Sequence, residues 1–236
     1  MLDFTKFSVL TFDCYGTIID WETGIFSALR PILLAHDRKV DDVRLLEIYS
    51  ELELHEEQKD FQNYRDVLRG VVRGFGDRLG FEATEAEQNS LPESIARWQP
   101  FPDSVGALRR LQEQFKLVVL SNIDNDLFAL TAPKLGIEFH DVITAQQARC
   151  YKPGGKIFQT AERRIGVGRE RWLHVGQSVY HDVVPAQAMG LATVWVNRPS
   201  PRAGSGATKA AHAKPDLKVS SLAELADAAA HNLATR

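Results

Sequence analysis

The chain has 236 residues, 44% of them hydrophobic and 25% charged, with a formal net charge of -3 and a pI near 6.2. That balance suits a soluble globular protein built as one large domain, or as a core with an insert, and argues against a general nucleic-acid binder, which carries a basic domain. No run approaches the roughly 18 apolar residues of a membrane span, the first residues lack a basic-then-apolar leader, and Cys14 and Cys150 are the only cysteines. The expectation is no membrane partner, no nucleic-acid partner, no disulfide framework and a cytoplasmic location.

The first predicted element is an apolar strand, Val9-Leu10-Thr11-Phe12, which stops at Asp13 and the turn Cys14-Tyr15-Gly16-Thr17. A strand buried in a parallel sheet reads as a near-continuous apolar run, and ligands of such sheets bind beyond the carboxyl ends of the strands. Helix spacing follows over 20–34, with Pro31 as a breaker. A charged, helix-rich block runs from Asp41 to Trp98. Val43, Leu46, Ile48, Tyr49, Leu52 and Leu54 form one apolar face, and Tyr64, Val67, Leu68, Val71, Val72 and Phe75 another. Gly74, Gly76 and Gly80 punctuate the end of the second helix.

From Phe101 the pattern alternates. Helices are expected over 102–115, 125–135, 154–165 and 178–189. Strands are expected over 117–120, 141–144, 172–175 and 192–196. Alternation of this kind implies right-handed crossovers and a parallel sheet. The first strand belongs with these four, so the fold expected is α/β, a Rossmann-like parallel-sheet core (1–20 and 99–236) with an inserted helical cap (21–98). The Ser-, Gly-, Ala- and Pro-rich stretch 200–214 reads as a flexible loop, and 221–232 as an Ala-rich helix.

Four segments follow strands and therefore share one sheet edge: Asp13 to Thr17, Ser121-Asn122, Lys152-Pro153, and Gly176-Gln177-Ser178 with Asp182. Each has a plain reading. Asp13 is a turn residue, Ser121 and Asn122 cap a helix, Lys152 is solvated, and Asp182 favours a helix dipole. Together they place two carboxylates, hydroxyls and a lysine at successive strand ends.

This order of motifs resembles the haloacid dehalogenase superfamily: DxxGT, Ser-Asn, Lys-Pro and GxSxxxD, over almost the whole chain. Its phosphatase branch resembles DxDGT and GDSxxND, whose acids hold magnesium. Here Tyr15 and Gln177 stand where acids would be, and His181 where Asn would be. Mg²⁺ leans on carboxylates, and a phenol near pKa 10 is a poor proton shuttle. Like charges 4 Å apart repel by about 4 kcal/mol at an effective dielectric of 20, so a phosphate dianion beside Asp13 and Asp182 would be poorly received without a metal.

Asp-x-Tyr-Gly-Thr resembles instead the metal-independent (S)-2-haloacid dehalogenase (type II) branch. The resemblance implies no cofactor, no metal and a small carboxylate as partner, and it allows a homodimer. Asp13 would displace halide from C2 and form an ester. Asp182 would direct water to it, and Lys152 would hold both carboxylates. Ser121 would bind the substrate carboxylate, and Asn122 would help receive the leaving group. Thr17 and Ser178 would position Asp13, and Tyr15 would shape the pocket. The branch also places an Arg in its early cap helix to receive halide, but 47–53 contains none, and Arg65 and Arg69 lie in the later helix. His181 is either a surface residue or a donor to a leaving group such as fluoride or a ring nitrogen. The leading reading is hydrolysis of small, haloacetate-type 2-haloacids. Three rivals stay open: the same ester chemistry on another 2-substituted or strained-ring acid, a phosphatase with a rebuilt metal site, and a silent binding protein.

Overall fold

In the computed structural model, residues 2–200 and 206–234 are described. A six-stranded, wholly parallel sheet forms the core, in the order β3-β2-β1-β4-β5-β6. The strands are β1 (Val9–Phe12), β2 (Lys116–Ser121), β3 (Asp141–Thr144), β4 (Trp172–Gly176), β5 (Ala192–Val196) and β6 (Leu217–Val219). Strand order reverses between β1 and β4, the crevice where ligands of doubly wound sheets bind. The register puts Phe12 level with Val119 of β2 and Val175 of β4, so β1 and β4 end within a residue of each other and β2 runs two residues further, to Ser121.

Five α-helices lie between β1 and β2, the first four being α1 (Trp21–Ala35), α2 (Asp42–Glu57), α3 (Tyr64–Leu79) and α4 (Glu85–Ser94). After β2 come α6 (Asn125–Leu135), α7 (Ala145–Ala148) and α8 (Gly155–Ile165), α5 (Ser104–Gln112) having preceded the strand. A π-helical turn (Val179–Val183) and α9 (Val184–Ala188) follow β4, and α10 (Leu222–Ala234) packs Leu222, Leu225, Ala226 and Ala229 inward.

Several expectations need correction. Pro31 does not end α1, which continues because Ile25, Leu29, Ile32 and Leu33 bury one continuous face while Pro31 stays on the exposed side. Gly74 and Gly76 sit inside α3, and only Gly80, in the left-handed conformation (φ +75°), ends it. The interior glycines serve packing. A Cβ on Gly74 would lie 2.5 Å from the Leu52 side chain, and one on Gly70 2.5 Å from Glu56, so α2 and α3 approach closely. Two short elements were not foreseen. The four-residue α7 is held by a reciprocal cap between Thr144 and Gln147, and β6 is a three-residue edge strand. Of the expected flexible loop, 201–205 lies outside the described residues. Ala207 and Thr208 are buried, and the Ala207 amide donates to Glu22.

The cap is tied to the core by an unusual helix cap. Asn63, at the N-cap position of α3, makes no side-chain bond. The buried carboxylate of Asp124, in the loop after β2, accepts instead from the amides of Tyr64 and Arg65, both at 2.9 Å. It satisfies two orphan donors and places an anion at the positive helix end. Tyr151 adds a second tie, donating to the Gln62 carbonyl (2.8 Å) and stacking on Phe61.

Candidate active site

The ladder extends one residue past β1, where the Asp13 amide donates to Val175 O (2.9 Å). This fixes Asp13 at the β1/β4 crevice. Its Oδ1 accepts from Lys152 Nζ (2.8 Å) and its Oδ2 from Thr17 Oγ1 (2.7 Å). Thr17 Oγ1 also accepts from the Gln177 amide (2.9 Å), joining the turn after β1 to the loop after β4. Gly16 (φ +93°) lets that turn fold back, with its amide donating to Ile19 O (2.8 Å).

Lys152 Nζ spends all three hydrogens, on Asp13 Oδ1, Asp182 Oδ1 (2.7 Å) and Leu120 O (3.0 Å), with its side chain 1% exposed. The plain reading of a solvated lysine therefore fails. Asn122 clamps the backbone of Lys152, accepting its amide at Oδ1 (2.7 Å) and donating from Nδ2 to its carbonyl (3.1 Å). The same Nδ2 donates to Glu57 Oε1 (3.2 Å). Both amide hydrogens are thus committed, so Asn122 positions Lys152 and Glu57 rather than standing free for a leaving group.

Behind Asp182 runs a buried relay that the sequence did not reveal. His174 Nε2 lies 3.1 Å from Asp182 Oδ1, its Nδ1 lies 2.8 Å from Thr11 Oγ1, and Trp172 Nε1 donates to that same oxygen (2.7 Å). An ionised Asp182 only accepts, so Nε2 is the donor in that contact. The signal was one imidazole inside an otherwise apolar strand. Gly176 makes room for this carboxylate, because a Cβ there would lie 2.5 Å from Asp182 Cβ and Cγ.

Burial disfavours charge at every member of the cluster, and neighbours decide the outcome. At Asp182 burial is outweighed by the Lys152 charge and the His174 bond, so its carboxyl is held below the usual range. At Asp13 burial prevails over Lys152, Asp182 adds repulsion, and the carboxyl is raised. Lys152 is raised too, the two carboxylates overcoming its own burial. As pH falls, Asp13 therefore takes the first proton while the Lys152–Asp182 pair stays charged.

These groups line a cavity of about 40 Å³ between the sheet edge and the cap. Ser121, Ser178 and His181 join the two aspartates on the core side. Tyr15 is a wall residue, its hydroxyl bonded to Thr131 Oγ1 (2.8 Å) and its ring edge-on to Trp98. Ser178 is paired with His181: the His181 amide donates to Ser178 Oγ (3.0 Å), which lies 3.1 Å from Nδ1. No bond from Ser178 to Asp13 is formed, so Thr17 is the hydroxyl that positions the carboxylate. His181 is no surface residue. Burial drives its pKa down to about 4, which makes the ring neutral at pH 7.

The cap side supplies Trp21, Glu53, Glu57 and Tyr64, and the returning loop supplies Thr208. Lys152 is the only lysine or arginine among the described lining residues. Arg65 pairs with Asp126, and Arg69 with Asn89 and Asp66, away from the cavity. Tyr49, Glu53 and Glu57 recur at i, i+4 and i+8 on one stripe of α2. Glu53 Oε1 accepts from Tyr49 (2.9 Å) and Tyr64 (2.5 Å). Burial still lifts Glu53 to about 7 against those bonds. Burial, with Glu53 beside it, pushes Glu57 well above the carboxylate range.

A raised folded-state pKa gives Glu53 a stabilising contribution that is complete below its unfolded value and lost as pH rises through about 7. Glu53→Gln removes that titration while keeping an oxygen for both phenols. Urea denaturation of the variant is expected to gain on wild type by on the order of 2 kcal/mol between pH 5 and pH 9. A constant difference across that range contradicts the assignment.

The family model of haloacid dehalogenase-like hydrolases matches residues 7–190. The chain belongs to this hydrolase family. It is 27% identical over 199 residues to haloacetate dehalogenase H-2 of Moraxella sp. (strain B), covering 82% of this chain and 87% of that one. Identity to the (S)-2-haloacid dehalogenase of Pseudomonas putida is 24% over 224 residues, covering 92% and 94%. The fold matches the L-2-haloacid dehalogenase from Xanthobacter autotrophicus with chloropropionic acid covalently bound. There the TM-score is 0.77 and identity 19%, over 94% of this chain and 97% of that one.

A structural neighbour, the putative HAD-hydrolase YfnB from Bacillus subtilis (TM-score 0.78, 19% identity, 95% of this chain and 99% of that one), is bound to magnesium, and the donor set here fits that ion poorly. The Tyr15 hydroxyl turns to Thr131, and Asp13 and Asp182 each spend Oδ1 on the Lys152 ammonium. Among the described residues, no group of three His, Cys, Asp or Glu side chains is arranged to hold a metal ion.

Proposed function

We propose that the protein hydrolyses small 2-haloacids without a metal, through an ester on Asp13. One observation carries the reading: a carboxylate fixed by Lys152 and Thr17 faces a small cavity at the strand-order reversal. The (S)-2-haloacid and haloacetate dehalogenases among the relatives support it.

In the first step Asp13 forms an oxygen–carbon bond at C2, and the halogen leaves with its bonding pair. Ser121 and the amides beside it receive the substrate carboxylate at the open end of β2, and Lys152 offsets the accumulated charge. In the second step water attacks the ester carbonyl of Asp13, directed by Asp182. The alcohol oxygen stays with the product, and the aspartate is regenerated. Holding nucleophile and substrate in line is the main contribution of so small a site. Ligand pockets commonly span several hundred Å³, so a cavity of about 40 Å³ favours two-carbon acids.

Halide release from chloro- and bromoacetate, measured with excess EDTA, tests the proposal. The expected result is turnover indifferent to EDTA, with kcat/KM at least about tenfold above that for 2-halobutyrates, since each added methylene is worth on the order of tenfold or more. Magnesium-dependent phosphate release with no halide from any acid would overturn it in favour of the phosphatase rival.

A further inference from the structure

The cap wall of the cavity is where an in-line displacement from Asp13 sends its leaving group, because nucleophile and leaving atom lie on opposite sides of the carbon. That wall carries no cation to receive an anion. It carries two carboxyl groups, Glu53 and Glu57, with Tyr64, and His181 borders it from the core.

Glu53 is fully occupied at Oε1 by the two phenols. Glu57 is not. Its side chain is 5% exposed, and Asn122 holds Oε1, which leaves Oε2 toward His181 Nε2 at 3.9 Å. That separation is too long for a hydrogen bond. His181 Nε2 is itself buried and without a partner. Buried polar atoms are rarely left so, and two groups this far apart can both reach one acceptor seated beside them. Both sides offer hydrogens. Asn122 donating to Oε1 places the carboxyl proton of Glu57 on Oε2. Ser178 Oγ already accepts from the His181 amide, so its own hydrogen can turn to Nδ1, the tautomer that puts the ring proton of the neutral His181 on Nε2.

We propose that Glu57 is a catalytic acid that hands the proton on Oε2 to the leaving atom, with His181 Nε2–H as the second donor, and that the enzyme is built for leaving groups that need a proton, fluoride among halides. This rests on the ester reading above and adds the identity of the group that departs. The step balances. Asp13 bonds C2, the carbon–fluorine bond breaks toward fluorine, and fluorine leaves as HF with the Glu57 proton. In hydrolysis one hydrogen of water ends on the product hydroxyl and the other restores Glu57. Its surroundings disfavour the carboxylate form. Burial and Glu53 raise it, against Asn122 and Lys152, and the other groups near it are Tyr49, Tyr64, His181, Asp13 and Asp182.

The experiment compares fluoroacetate with bromoacetate in wild type and Glu57→Gln. Bromide is a good leaving group and needs no acid. The amide variant is expected to lose about 100-fold in kcat on fluoroacetate, the usual range for a general acid, and less than about threefold on bromoacetate. In wild type, kcat on fluoroacetate falls with rising pH as Glu57 loses its proton, and kcat on bromoacetate does not follow it. This second measurement serves even if the variant fails to fold. Equal losses on both substrates, no loss on either, or parallel pH profiles would overturn the role of Glu57 while leaving the ester reading intact. Release of neither halide by wild type overturns both.

Discussion

Asp13→Asn is expected to lower turnover by on the order of 10⁴-fold or more, with the fold intact. An amide oxygen does not displace halide from carbon. The variant keeps its structure because Lys152 retains Asp182 as partner (2.7 Å), and a neutral side chain at position 13 removes a carboxylate whose charge burial already disfavours. Isotope placement decides what Asp13 does. In a single turnover of wild type in heavy-oxygen water, the product hydroxyl should carry unlabelled oxygen from Asp13, and the label should appear in the enzyme. Label in the first-turnover product means that water attacked carbon directly. The raised carboxyl of Asp13 also places the acid limb of the pH profile above the ordinary aspartate range.

Lys152→Ala is the second large effect, and it strikes stability as well as chemistry. The substitution leaves Asp13 and Asp182 buried side by side with no cation, and breaking such a cluster costs about 3–5 kcal/mol. Urea denaturation at pH 8 should show that loss, and it should shrink as pH falls and the carboxylates take up protons. Activity should drop at least about 10³-fold and stay lost at low pH, since a protonated Asp13 is no nucleophile. Lys134→Ala is the control: Lys134 reaches only the Ile95 carbonyl at 3.5 Å, and its loss should leave turnover close to wild type. Equal losses in the two variants would remove Lys152 from the site.

The strand ends were legible because parallel strands are apolar on both faces, so a carboxylate or hydroxyl at the end of such a run stands out. Asp13, Ser121 and Asp182 were found that way, and Lys152 from its place before Pro153. The cap helices were legible from their apolar stripes, but not how closely they pack, because Gly70 and Gly74 look like breakers until Glu56 and Leu52 are seen above them. Pro31 misled for the converse reason, tertiary burial of α1 overriding one missing hydrogen bond. Glu53 and Glu57 were hidden in a helix whose charges resemble a solvated face. Only the spacing of Tyr49, Glu53 and Glu57 marked them, and that stripe has meaning once a cavity lies beneath it. His174 and Thr208 were out of reach for a similar reason, since the first acts through a register match with Thr11 and the second through a loop that folds back.

The carboxylate of Asp124 has a consequence for access. α2 and α3 wall the cavity on the cap side, and Asp124, which grips the start of α3, follows shortly after Ser121 and Asn122 at the end of β2. Swinging these helices off the sheet edge must pull the Tyr64 and Arg65 amides from that carboxylate, while Asn122 lets go of Glu57. Any such movement is thereby tied to fraying at one helix terminus. The same movement would part Phe61 from Tyr151, so polar and aromatic contacts together hold the cap at this edge.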